Sequence, residues 1–187
     1  MQLQIRPVTE SVFTEALALQ AYSLRSLSTE YYNPQQIEAI VKSQERVRRR
    51  EFRWKGELIY GGWIDQQLVA IAAISTWGGS IGGIYVHPDF ARFGIGRQMA
   101  LKLEEVAIER RCRDLTVISS LIAVRLYESV GYSRVFSDKL RFGEETVACI
   151  FLAKSLPRPK PKKDRRFETL TAIFSVVICL AVVATFM

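Results

Sequence analysis

A strand end, a glycine-bearing turn and a helix start follow one another in the run Tyr85-Val86-His87-Pro88-Asp89-Phe90-Ala91-Arg92-Phe93-Gly94-Ile95-Gly96-Arg97. The chemistry such a junction supports is anion binding. The first amides of a helix have no partner inside it and lie at the positive end of its dipole, so they suit a phosphate. Gly94 and Gly96 let a pyrophosphate approach the backbone closely, because neither carries a Cβ. A lone G-x-G before a helix also occurs for packing alone. Two nucleotide-binding arrangements are excluded by spacing. There is no GxxxxGK followed by Ser or Thr, and Met99 stands where a dinucleotide fingerprint needs its third glycine. Metal chemistry is not expected either, since one histidine and three cysteines (Cys112, Cys149, Cys179) without a CxxC pair make no zinc set. The odd, unpaired thiols fit a reducing compartment.

The same run resembles the acyl-CoA-binding motif of the GNAT superfamily, roughly V-x-P, two residues, then Gln/Arg-x-x-G-x-G/A. Downstream, Ser120-Leu121-Ile122-Ala123-Val124-Arg125-Leu126-Tyr127-Glu128-Ser129-Val130-Gly131-Tyr132 is similar to the family's second signature, N-x-x-A-x-x-L-Y-x-x-x-G-F/Y. Tyr32-Asn33-Pro34-Gln35-Gln36-Ile37-Glu38-Ala39 resembles a second-helix pattern of some members. The likeness covers about residues 3–155 and implies an acetyl-CoA-dependent N-acetyltransferase, with acetyl-CoA as acyl donor and an amine as acceptor. It implies that the backbone of Tyr85 and Val86 pairs with the pantetheine arm. Amides of Arg92, Phe93, Gly94, Ile95, Gly96 and Arg97 then hold the pyrophosphate, and Ser120 reaches a pantetheine amide. Tyr127 falls at the position of the family's general acid. A phenol of pKa about 10 within reach can protonate a leaving thiolate whose thiol has a pKa of about 8.5; a merely packed aromatic is the alternative. Two positions depart from the pattern. Ala91 replaces the usual Gln/Arg, leaving Arg92 and Arg97 to supply charge. Ser80 stands where some relatives carry a glutamate base. His87, the only histidine, reads as a structural residue at a strand end, so no base is assigned. These departures support a second reading, a GNAT-like binding or assembly subunit without turnover.

The elements that must position these residues are legible from periodicity. Gln2 to Val8 alternates as a strand. Thr9 to Leu27 is helical, with Thr9 or Ser11 as N-cap. Asn33-Pro34 opens a second helix whose apolar face is Ile37, Ile40 and Val41. The basic run Arg46–Arg50, flanked by Glu45 and Glu51, reads as a solvated helix end. Residues 57–65 and 68–77 form a hairpin about Asp65-Gln66-Gln67, and Ser80 to His87 is a third strand. Gly94 to Arg111 is an amphipathic helix with Ile95, Met99, Leu103, Val106 and Ala107 on one side. A strand over 115–119 follows, then a short helix over 121–130 ended by Gly131. A last hairpin, 132–142 and 144–156, turns at Gly143. The fold class is α+β, a GNAT-like mixed central sheet flanked by helices, closed by residue 156.

At 187 residues the chain has room for one domain, here 1–156, and an appendage. The net charge of +7 is not a nucleic-acid signature, because residues 157–168 alone carry six Lys or Arg against Asp164 and Glu168. That Pro-rich basic segment reads as an extended linker. Beyond it, residues 169–187 (TLTAIFSVVICLAVVATFM) contain no charge, Pro or Gly. As a helix they span roughly 28 Å at about 1.5 Å per residue, against a hydrocarbon core of about 30 Å. The expectation is a single-pass C-terminal transmembrane helix with the domain on the cytoplasmic side, by the positive charges preceding the span. A membrane-protein partner, or contact of the linker with anionic headgroups, is compatible with it. The N-terminus has no apolar h-region and so no cleavable signal peptide.

Overall fold

The computed structural model describes residues 2–54, 56–75, 77 and 79–157. The linker beyond its first residue and the apolar span 169–187 lie outside the described residues. Among the described residues no helix is long and apolar enough to cross a membrane.

A short strand β1 (Gln4–Pro7) leads into α1 (Glu10–Leu27) and α2 (Pro34–Trp54). Thr9 is the N-cap of α1, but its hydroxyl meets that of Ser11 at 2.9 Å and caps no amide. The start of α2 is a reciprocal capping box. Asn33 Oδ1 accepts from the Gln36 amide at 2.8 Å, and Gln36 Oε1 accepts from the Asn33 amide at 3.1 Å. Pro34 follows at the first helical position, where its missing N–H costs nothing.

A meander of β2 (Glu57–Ile64), β3 (Gln67–Ser75) and β4 (Ser80–Val86) comes next. Its first turn is tight because Asp65 and Gln66 both take positive φ, 47° and 68°, the backbone of a primed hairpin turn. Then come α3 (Ile95–Glu109), β5 (Asp114–Ser120), a 3-10 turn at Leu121–Ala123, α4 (Val124–Ser129), β6 (Ser133–Phe142) and β7 (Glu145–Ser155). The expected element order holds throughout.

All seven strands form one sheet in the order β1-β2-β3-β4-β5-β7-β6. Every neighbouring pair is antiparallel except β4 and β5. Helices cover both faces. On one, Met99, Leu103 and Ala107 of α3 pack with Val124 and Tyr127 of α4. On the other, Phe13, Ala16 and Leu17 of α1 lie over Ile71 and Ala73, while Ile37, Ile40 and Val41 of α2 meet Val147. β3, in the middle of the sheet, is buried from Leu68 to Ile74. A strand covered on both faces gains by burying every side chain, hence the unbroken apolar run LVAIAAI.

One expectation about α2 is corrected. Arg46, Arg49 and Arg50 are exposed, but Arg48 is buried. It pairs with Glu57, donates from Nη2 to the Gly82 carbonyl at 3.1 Å, and from Nε to Gln20 Oε1 at 3.4 Å. The reason is helical spacing. Arg48 lies about two turns past Val41 and three past Ile37 on the same helix face, so it enters the core with them.

Candidate functional site

Parallel pairing of β4 with β5 is brief. Ser80 aligns with Thr116 and Ile81 with Val117, and then the strands part. Past Ile81, β4 keeps β3 on one side and has no strand partner on the other. Gly82 is a bulge at this point, since Ala73 pairs with Gly83 and Ile74 with Ile81, leaving Gly82 unopposed. The splay opens two connected cavities, which share Leu24, Ile84, Tyr85, Ser120 and Ala123 as walls.

The larger cavity, about 690 Å³, runs from this splay to the turn before α3. Of the expected contact residues, Tyr85, Val86, Arg92, Gly94, Gly96, Arg97 and Ser120 all line it. Phe93 projects away, 72% exposed, and the Ile95 side chain is buried in the core; only their backbone amides belong to the turn. Those amides are available. The Gln98 amide bonds to the Gly94 carbonyl, and among the described residues no backbone carbonyl accepts from the amides of Arg92 to Arg97. Arg92 holds φ 66° and Gly94 φ 76°, which aims successive N–H groups to one side, an anion-binding concavity.

The two glycines have different reasons. A Cβ on Gly94 would meet nothing within 4 Å, so Gly94 is needed for its left-handed backbone as N-cap of α3. A Cβ on Gly96 would stand 3.2 Å from Leu126 Cδ2 and 3.7 Å from Val86 Cγ2. Gly96 therefore lets the first turn of α3 settle against α4 and the end of β4. Ala91 lines the same cavity, as do three guanidinium side chains, Arg92, Arg97 and Arg125. Arg125 was not singled out in the sequence. Its place one turn into the second signature, beside Leu126, was the available signal.

The smaller cavity, about 300 Å³, lies on the α2 side of the splay. Tyr127 lines it, 2% exposed, with Tyr85, Ser119 and Ser120. The Tyr127 ring packs edge-on against Tyr132 at 5.5 Å between centroids. Burial pushes its phenol well above the ordinary tyrosine range, and the neighbouring Tyr85 and Tyr132 hydroxyls add to this. Burial likewise raises the Tyr85 phenol, against an opposing pull from Arg48. Gly83, at φ 132°, carries no Cβ where the Tyr85 ring folds back across it at 2.8 Å. Ser80 lines the cavity too but carries no basic group. His87 stands outside it: Nδ1 accepts from the Asp89 amide at 3.3 Å and the ring rests against Tyr22 and Phe90, the structural role expected.

Two further residues of this cavity were not read from the sequence. Glu57 projects into it from β2. Tyr32, noted only as part of a helix pattern, ties its walls together: its hydroxyl donates to the Ala148 carbonyl at 2.8 Å and accepts from the Leu121 amide at 2.8 Å. Tyr32→Phe removes both bonds in a site where Tyr32 is 5% exposed. It is expected to lower unfolding free energy by about 1–3 kcal/mol, the cost of orphaned buried groups, read from urea melts at unchanged m-value.

Comparison with known proteins agrees with this geometry. The sequence profile of the acetyltransferase (GNAT) family matches residues 21–132, more than half of the chain. Several solved structures share the fold. A GCN5-related N-acetyltransferase from Rhodopseudomonas palustris superposes with a TM-score of 0.77 at 24% identity, covering 83% of this chain and 97% of that one. The PaiA N-acetyltransferase from Thermoplasma acidophilum, in complex with coenzyme A, gives 0.68 at 14% identity, covering 83% and 99%. The ribosomal-protein-S18-alanine N-acetyltransferase from Escherichia coli gives 0.60 at 15% identity, covering 87% and 98%. With the β4–β5 splay leading into a turn of free amides, and a profile match over both signatures, this chain belongs to the acetyltransferase (GNAT) family.

Proposed function

We propose that the protein transfers an acetyl group from acetyl-CoA to a primary amine. The observation that carries this is the splay between β4 and β5, open at one end onto the Arg92–Arg97 amides and at the other onto Tyr127. The donor fits the larger cavity by the chemistry of its walls. Free amides and the guanidinium groups of Arg92, Arg97 and Arg125 suit phosphates. The unpaired edge of β4 near Tyr85 and Val86, with Ser120 opposite, offers backbone and hydroxyl partners to a pantetheine amide. That the Thermoplasma acidophilum relative was solved with coenzyme A supports the assignment.

The amine must reach the thioester as the free base. Its nitrogen attacks the carbonyl carbon, the C–S bond breaks, and the sulfur leaves as a thiolate. Tyr127 gives its proton to that sulfur and regains one from solvent, and the proton lost by the nitrogen is released. The products are the amide and coenzyme A. The rival reading, a docking module without turnover, draws on Ala91, on Ser80 and on a Glu57 carboxylate already committed to Arg48. Calorimetric titration with acetyl-CoA and thiol release over a panel of amines separate the two. Binding without release on any amine selects the rival.

Gly96→Val tests the donor site. Its methyl groups would press on Leu126 and Val86 and lift the first turn of α3, so coenzyme A affinity is expected to fall at least tenfold. Gly94→Asn, whose residue tolerates the left-handed region, is expected to fall less.

We also infer that residues 169–187 tether the domain to a membrane on its cytoplasmic side. The support is the length and uncharged character of the span and the basic residues before it. The full chain should pellet with membranes and resist carbonate extraction, while a chain ending at Ser155 should stay in the supernatant. A truncated chain that still pellets overturns the tether.

A further inference from the structure

The smaller cavity is walled by apolar and uncharged polar groups, with one exception. Glu57 is the only charged residue among the described residues that line it. Arg48 pairs with one carboxylate oxygen, Oε2, with 2% of its side chain exposed against 10% for Glu57. The other oxygen, Oε1, lies against β4 at the bulge, where a Cβ on Gly82 would overlap it. Of the two members of this buried ion pair, Glu57 lines the cavity and Arg48 does not. Three of the five Arg48 N–H groups serve Glu57, the Gly82 carbonyl and Gln20, and the guanidinium also acts on the Tyr85 phenol.

Ile40, Val47, Ile81, Leu140, Phe142 and Val147 supply apolar wall. A volume of about 300 Å³ is at the small end for ligand sites. Resting on the acetyl-transfer reading, we infer that the acceptor is a small amine with an uncharged, largely apolar body and no carboxylate, its nitrogen drawn in by Glu57. An ammonium gains from a carboxylate in a partly dehydrated site, where charges interact more strongly than in water. A carboxylate on the acceptor would face Glu57, lose water and find no cation in return. The apolar walls reward hydrocarbon or aromatic surface.

Three acceptors that share one aromatic body isolate the carboxylate: phenethylamine, phenylalaninamide and phenylalanine. With the full chain and acetyl-CoA, kcat/KM for thiol release is expected to be at least tenfold higher for the first two than for phenylalanine. Glu57→Gln should raise KM for phenethylamine at least tenfold while changing kcat less, with coenzyme A affinity retained as the sign of an intact fold. If that variant loses coenzyme A binding, the wild-type comparison decides alone. Phenylalanine turned over as well as its amide, or release confined to lysine-bearing peptides, overturns this inference and leaves acetyl transfer standing. An unchanged KM in a folded Glu57→Gln protein removes Glu57 from the site and overturns it as well. Coenzyme A binding with no release on any small amine or peptide overturns the transfer reading and this inference together.

Discussion

Tyr127→Phe is expected to lower kcat for thiol release by about 10²–10⁴, the usual contribution of a positioned general acid, with KM and coenzyme A affinity near wild type. The change removes one oxygen from a side chain that is 2% exposed. The ring's contact with Tyr132, at 5.5 Å between centroids, does not depend on the hydroxyl. Stability should therefore hold while the proton donor is lost. The pH profile adds an independent check. Burial raises the Tyr127 phenol above its ordinary value, so the acid form persists through neutral and moderately alkaline pH. No fall in kcat from Tyr127 ionisation is expected up to about pH 10, the unperturbed tyrosine value. An unchanged kcat in Tyr127→Phe, measured at saturating amine, would remove the acid role.

How far the sequence alone carried this reading differs between the two ends of the splay. The proposed donor end has a local signature, because the elements that build it are consecutive. A run of residues from a strand through a turn into a helix sets both the free amides and the dipole that favours phosphate, and Gly94 and Gly96 mark it. Even there, one reason changed. Gly96 is small because Leu126 and Val86 close over it, a contact between α3, α4 and β4 that no local spacing reveals. Strand order was legible only as far as hairpins and the final helix–strand alternation go. That β7 inserts between β5 and β6 depends on tertiary packing of the last hairpin, and periodicity says nothing about it.

The proposed acceptor end is assembled from distant parts, so it has no local signature in the sequence. Glu57 starts β2, Tyr32 precedes α2, and Ala148 lies on β7, yet all of them border one cavity. Tyr32 bridges residues 116 and 89 positions away in sequence. No motif spans such distances in a single chain. Arg48, the partner of Glu57, does carry a local signal, since it repeats the helical positions of Ile37 and Val41. The charge run around it is solvated at Arg46, Arg49 and Arg50. The bulge at Gly82 joins the two ends. It turns a carbonyl toward Arg48 and bares β4 to Glu57. Helical phase, more than residue type, separates Arg48 from Arg46 and Arg49.

Arg48→Met is expected to cost roughly 3–5 kcal/mol of unfolding free energy, the usual penalty for stranding one member of a buried ion pair, measured by urea denaturation. Three elements depend on this guanidinium. It neutralises Glu57 on β2, satisfies the Gly82 carbonyl on β4 and reaches Gln20 on α1. Methionine replaces the stem but none of the donors, so Glu57 must then stay charged without a partner or take up a proton. The double variant Arg48→Met with Glu57→Gln removes the stranded charge and should recover much of the loss, because neutral replacements of a whole buried pair are often tolerated. The cycle formed by the two single variants and the double one isolates their coupling. Its expected sign follows from the geometry. Each single change leaves the other charge exposed to a low-dielectric site, so the two losses should sum to more than the loss in the double variant. Additive losses would mean that the two side chains do not act as a pair, and that the bulge at Gly82 is held by the β3 register alone.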